Sequence, residues 1–406
     1  MQLDERERNL RVLWGSHFLS VTSLCVIAPL LPFFLRELGA TSQASALTWS
    51  GFALAAPAVT YAVTAPLWGR LGDRWGQKWM VVRALAGLAL TLILMGYAET
   101  PFQFFLLRLL QGAFGGVVSA GTALASTQAS AESRGQVLGR LESAVAAGSL
   151  MGPIIGGVLM DWWSFRHLLI LLGGLLGLSA VAAVGLLNRD RPVASVAPRA
   201  GIWGTFGQLL GERRVRRFLV AGICANLGVY GLVAILAARV KELSPLHTHA
   251  ATWVGVMQAV TWAAALFGAP WWGRRNDTSL VERNFIIASL LCGTGVALQA
   301  LPLGLEWLLP WRALQGFGFS ALLPSALLIV SQAAPESQRG AHIGAANSLL
   351  VVGQIGGSLV SAFLARSLSP AWIFVTMSAC FVAGAAAVWA PQKSSDTVAR
   401  EGAVQS

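Results

Sequence analysis

Three observations predict an all-α integral membrane fold, with twelve transmembrane helices in two pseudo-symmetric six-helix bundles. The 406-residue chain is 55% apolar and only 12% charged, with a mean hydropathy of +0.63. Soluble proteins carry roughly twice that share of charge, about 25%, so most soluble enzyme classes are excluded. Twelve apolar runs each approach or exceed the ~20 residues that a helix needs to cross the hydrocarbon core. The last six runs repeat motifs of the first six at a nearly constant offset.

The elements follow in order. Residues 1–11 form a polar N-terminal segment, expected to be cytoplasmic. Runs at 12–35, 47–69, 79–98, 101–128, 138–160 and 165–187 make the first bundle, 12–187. The first run has no small-residue cleavage site and is expected to stay as an anchor. Residues 188–216 are the longest polar stretch, rich in arginine and carrying Pro192 and Pro198. They read as a cytoplasmic linker with a short amphipathic surface helix near 203–210. Runs at 217–240, 251–271, 284–304, 307–333, 341–364 and 371–390 make the second bundle, 217–390, and 391–406 is a polar cytoplasmic tail. Barrel strands of about ten alternating residues are nowhere in evidence.

Charge sets the orientation. The chain has 29 Lys and Arg against 18 Asp and Glu. With both termini inside, 22 of the cations fall in inner segments and five outside: Arg36, Arg166, Arg239, Lys241 and Arg366. Cytoplasmic loops are enriched in Lys and Arg, so the bias reports topology in a cell inner membrane, and no nucleic-acid partner is expected. The four cysteines lie in four different runs and read as lone thiols without disulfide or metal roles. The pair His247 and His249 falls in an outer loop, where metal binding is the lesser reading and no metal site is expected.

The repeat is specific. Pro66-Leu-Trp68-Gly69-Arg70-x-x-Asp73 reappears as Pro270-Trp-Trp272-Gly273-Arg274-x-x-Asp277, and Arg108-Leu-Leu-Gln111-Gly112 as Arg312-Ala-Leu-Gln315-Gly316. Trp49-x-Gly51 matches Trp253-x-Gly255, all at an offset of 204. Beyond one inserted residue, Gly139, Gly148 and Gly152 match Gly344, Gly353 and Gly357 at 205. Duplicated bundles place a substrate site between the halves, reached alternately from each side.

Three motifs carry mechanism. The first inner loop, with Gly69, Asp73, Arg74, Gly76 and Lys78, sets an anion and several cations at a tight inner turn, and Asp277 is its duplicate. A carboxylate there can face a helix N-terminus and latch an inner gate; a positive-inside turn is the plainer reading. Arg108 lies within run four, with Gln111 and Gly112 on nearly the same face. An intramembrane arginine is costly and faces a polar interior. It reads either as a charge in the translocation path or coupled to protonation, or as a structural cation on helix carbonyls. In run five, Gly148, Gly152 and Gly156 fall on one small-residue face, followed by Pro153 and Gly157. That face is expected to meet a helix of the other half as a gate seam; a plain GxxxG packing face accounts for the glycines alone, but less well for the whole spacing.

On these motifs, with Pro29-Leu-Leu-Pro32, the whole transmembrane part resembles transporters of the major facilitator superfamily, in the twelve-helix drug:proton antiporter group. The resemblance implies an inner gate at Asp73, proton coupling at Arg108, and an antiporter seam at Gly148, Gly152, Pro153, Gly156 and Gly157. It also implies outward transport. Run one lacks the membrane-embedded acid of many such antiporters, which leaves His17 and Glu142 as proton candidates, with Asp161 at the outer end of run five. Thr278 stands where the second inner loop would repeat Arg74. Substrate-path candidates are the i, i+4 pairs Asn226/Tyr230 and Gln258/Trp262, with Arg312.

No Walker motif, HExxH or other catalytic constellation is present, so no cofactor is expected. The partners expected are protons, the bilayer and a small organic substrate, handled by a monomer. The leading reading is a proton-driven exporter of drug-like amphiphiles. Export of a siderophore or other secreted metabolite is the alternative, then proton-coupled nutrient import, which the run-five motif disfavours, and last a non-transporting sensor.

Overall fold

The computed structural model describes residues 2–129, 133–188, 202–243, 249–335 and 338–389. All of its regular structure there is helical. The first half holds α1 (Gln2–Glu37), α2 (Gln43–Trp75), α3 (Gln77–Gly96), α4 (Pro101–Ala113), α5 (Val117–Gln128), α6 (Arg134–Trp162) and α7 (Phe165–Leu186). A short helix, α8 (Ile202–Gly211), follows where the surface helix was expected. The second half holds α9 (Arg213–Leu232), α10 (Ile235–Leu243), α11 (Ala250–Thr278), α12 (Val281–Leu298), α13 (Leu305–Ala333), α14 (Arg339–Leu364) and α15 (Pro370–Trp389). Twelve segments are long and apolar enough to span a bilayer, and they coincide with the twelve runs read from the sequence. Residues 189–201 of the expected linker and the 391–406 tail lie outside the described residues.

Local chemistry starts and stops the helices. Ser42, Thr100 and Ser164 accept backbone N–H bonds at the starts of α2, α4 and α7, and Pro101 follows its cap directly. Gly76, at φ +92°, allows the tight turn from α2 to α3.

Two runs are broken, which the apolar pattern does not foretell. Run four breaks between α4 and α5, where Gly116 takes φ +108°. Arg83 of α3 repairs the break: Nη2 donates to Gly115 O at 2.9 Å, and the guanidinium lies 3.7 Å from the Trp68 ring centre. Its counterpart α13 is continuous. Run seven breaks at Val233–Ala234, between α9 and α10. There Arg239, 2% exposed, donates to Gln299, Ala300 and Leu301 carbonyls at 3.1, 2.8 and 2.7 Å, closing the C-terminal end of α12.

Packing is dense within each half. α1 packs on α6 and α7, and α3 on α7; α9 packs on α14 and α15, and α12 on α13 and α15. Phe34, Phe104 and Phe165 interlock in the first core, and Phe218 meets Phe285 in the second. The halves meet chiefly along two helix pairs, α6 with α11 and α2 with α14, with smaller contacts from α1 to α10 and α11. Below, the terminal end is where α1 starts and α15 finishes, and the far end is the opposite one.

Candidate functional site

The two main contacts between halves are related by the sequence repeat. On one side, a side chain at Gly255 of α11 would stand 2.1 Å from Pro153 O and 3.4 Å from Gly157 Cα of α6. On the other, a side chain at Gly51 of α2 would stand 2.4 Å from both Ser358 O and Ala362 Cβ of α14. Pro153 and Gly157 match Ser358 and Ala362 at the offset of 205. Both seams are therefore backbone-on-backbone crossings that only glycine admits.

These seams part toward the terminal end. Gly139 precedes Gly157 by five helical turns and shares its face, and Gly344 stands in the same relation to Ala362. A side chain at Gly139 or Gly344 would have nothing within 4 Å. The same faces that touch at the far end thus open from one another at the other.

The expected seam needs one correction. Gly148, Gly152 and Gly156 do not meet the other half. They pack on Phe18, Thr22 and Val26 of α1, within their own bundle, and Gly353 and Gly357 pack likewise on Ile223 and Leu227 of α9. Pro153 and Gly157, on the neighbouring stripe, make the crossing.

Both buried arginines tie a helix of their own bundle to its seam helix. Arg108, 5% exposed, donates from Nε to Ala53 O of α2 at 2.8 Å and from Nη1 to Gln111 Oε1. Arg312, 2% exposed, donates from Nη2 to Gln258 Oε1 of α11 at 2.7 Å and from Nη1 to Gln315 Oε1 at 3.0 Å. Gln258, expected in the path, is thus the anchor of Arg312. Gln299 joins through its amide to Gln315 at 3.0 Å. Gln111 Nε2 and Arg312 Nε are buried without a partner.

His17 and Glu142 lie within electrostatic range of one another. His17, buried on α1, donates from Nε2 to Val118 O at the start of α5 at 3.1 Å, and its Nδ1 is buried without a partner. Glu142, exposed on α6, is near enough to act on it electrostatically. Farther along, Cys25 of α1 and Tyr230 of α9 are both half-buried.

Other candidates land elsewhere. Asn226 does not line a path: it is buried between α9 and α14, donating to Leu350 O at 2.9 Å. Trp262 is about one-third exposed on α11. The Lys78 ammonium donates to Val184 and Leu187 carbonyls at the end of α7. The Asp73 side chain lies outside the described residues, and Arg74 is exposed beside the turn at Gly76. Asp277 is exposed, and its neighbour Asn276 makes the clasp instead, donating to Ser325 Oγ at 3.0 Å and accepting from Asn284 at 2.9 Å. Among the described residues no group of His, Cys, Asp and Glu could hold a metal.

The far-end closure is not foretold by the sequence pattern. Asp161, at the end of α6, accepts from Thr252 N at 2.7 Å, Thr252 Oγ1 at 2.6 Å and Ala251 N at 3.3 Å, all at the start of α11. Beside it opens a cleft of about 480 Å³ shared by both halves, with Phe33, Arg36 and Glu37 from α1 and Lys241 from α10. Lys241 lies 4.7 Å from the Phe33 ring centre. Partial burial, and then the nearby Arg36, lower its pKa below the usual lysine value. An acid closing a run that precedes a helix start is the only signal the sequence offered.

Twelve spans in two repeated bundles, crossing at two glycine seams and parted at one end, are the architecture of an alternating-access membrane transporter. The family model for the Major Facilitator Superfamily matches residues 13–305 and 244–405, and the chain belongs to that family. It is 41% identical over 376 residues to the staphyloferrin B transporter of Staphylococcus aureus (strain NCTC 8325 / PS 47), covering 92% of this chain and 90% of that one. It is 27% identical over 361 residues to the multidrug resistance protein MdtG of Proteus mirabilis (strain HI4320), covering 89% and 90%. Among solved structures, the nucleoside transporter NupG superposes with a TM-score of 0.75 at 14% identity, covering 93% of this chain and 98% of that one. That likeness carries the fold alone.

Proposed function

We propose that this transporter exports a siderophore or a similar secreted metabolite from the cytoplasm, driven by proton entry. The reading rests on one observation above others: the halves touch at the far end and part at the terminal end. The 22-to-5 cation bias supports termini that lie inside, and with that orientation the parted end opens to the cytoplasm of a cell inner membrane. An exporter loads its cargo in that state. The 41% identity to a siderophore transporter favours that cargo class over drug-like amphiphiles, to whose transporter the identity is 27%. Drug export is the second reading, supported by the MdtG relatives.

Proton coupling falls to His17 and Glu142. His17 titrates near neutrality in water, and no carboxylate stands among residues 12–35. Arg108 then acts as the fixed cation that ties α4 to α2 beside the seam at Gly51.

Accumulation in energised cells tests this. Cells with the protein should hold less siderophore than cells without it, and a proton-gradient uncoupler should abolish the difference. Higher internal levels with the protein refute export. Lower dye and drug levels at unchanged siderophore levels favour the second reading.

A further inference from the structure

We infer that Asp161 is the positioning residue that latches the far gate, by capping a helix of the opposite half. The inference rests on the alternating-access reading. Most helices here that carry a side-chain cap take it from their own residue: Ser42, Thr100 and Ser164 do so. Helix α11 differs. Its own N-cap residue, His249, makes no side-chain cap bond. The cap comes instead from Asp161, 90 residues away on α6, which engages two backbone N–H groups and the Thr252 hydroxyl.

Several features make this a latch and not a passive contact. The Asp161 side chain is only 10% exposed, so its charge is solvated mainly by the opposite bundle. The first N–H groups of a helix have no partner within the helix, and a carboxylate there also meets the positive end of the helix dipole. His249 Nδ1, in the same opposing segment, stands 4.0 Å from Asp161 Oδ2, beyond hydrogen-bond reach. One turn below, Gly157 of α6 rests on Ala251 and Thr252. When the far end opens, α6 and α11 must separate there, and all three bonds break together. The latch therefore sets how much of the protein is closed at its far end.

Spin labels at Gln43 and Ser367, both exposed at the far end on opposite halves, read that population. They sit at the other seam, away from the latch. The full chain, with its four native cysteines changed to alanine, is placed in lipid nanodiscs. Asp161→Ala is expected to lower the ratio of short to long distances about tenfold, the scale of losing a charged cap. Thr252→Val should lower it less, and the double variant should match Asp161→Ala alone. Asp161→Asn, which keeps an acceptor oxygen, should fall between and serves where the alanine variant does not reach the membrane. An unchanged ratio in Asp161→Ala and Asp161→Asn, or simple additivity in the double variant, overturns the latch. A single unchanging distance in the parent protein under every pH and ligand overturns the alternating-access reading itself.

Discussion

Gly51 and Gly255, 204 residues apart, each rest on the backbone of the opposite bundle: Gly51 on Ser358 O and Gly255 on Pro153 O. Duplication alone accounts for the match, and close approach accounts for the residue type. A valine at 255 would collide with backbone, which cannot turn aside as a flexible side chain does. Gly255→Val is therefore expected to hold the far end open and to cut transport at least about tenfold, while the protein still reaches the membrane, since each bundle's own packing is untouched. Transport into inverted vesicles with a far-end distance measurement checks both parts. Full transport in Gly255→Val would show that the seam need not close.

Gly139 predicts the opposite defect. It shares the face of Gly157 but stands free at the terminal end. A leucine there should leave the present state intact and obstruct only its alternate, in which the terminal ends meet. Gly139→Leu is expected to shift the population toward the far-closed form and to slow transport with substrate binding retained. Binding and transport measured on the same preparation separate the two; loss of binding with transport would contradict the idea.

The sequence made the bundle legible because span length, apolar runs and a repeat are all one-dimensional signals. Faces and breaks are not. Gly148, Gly152 and Gly156 form one small stripe of α6, and Ser149, Pro153 and Gly157 form the next. Both admit a close neighbour, so spacing cannot say which meets α1 and which meets α11. The break at Gly116 depends on Arg83 satisfying a freed carbonyl from another helix. The role of Asp161 depends on a helix start whose bonded N–H groups lie 90 and 91 residues later. Each is fixed by tertiary contact, which pattern alone does not carry.

The two buried arginines differ in what holds them, and that difference is testable. Arg108 leans on a backbone carbonyl that no substitution at position 53 removes, whereas Arg312 leans on the side chain of Gln258. Gln258→Leu should leave an ionised group short of an acceptor and cost about 1.5–3 kcal/mol of stability. Leu54, the residue of the first half that matches Gln258 in the repeat, touches no such bond, so Leu54→Met should be near neutral. Thermal unfolding in detergent reads both; equal melting temperatures for Gln258→Leu and the parent would mean that Arg312 finds another partner.

His17 is the group whose replacement should change how transport depends on pH. It is held by one bond to Val118 O, with its second nitrogen unpaired and Glu142 nearby. Imidazole is the side chain that titrates between about pH 5 and 8 in ordinary surroundings. A glutamine at 17 can keep the bond to Val118 O but cannot carry the proton. His17→Gln should therefore reach the membrane normally, flatten the pH profile of transport over that window, and lose its response to an imposed proton gradient. Glu142→Gln should displace the midpoint of the profile while leaving a profile in place, because it removes a neighbouring charge and not the titrating ring. If His17→Gln keeps the parent profile, the proton travels by another residue, and Glu142→Gln then shows whether that residue is its neighbour on α6.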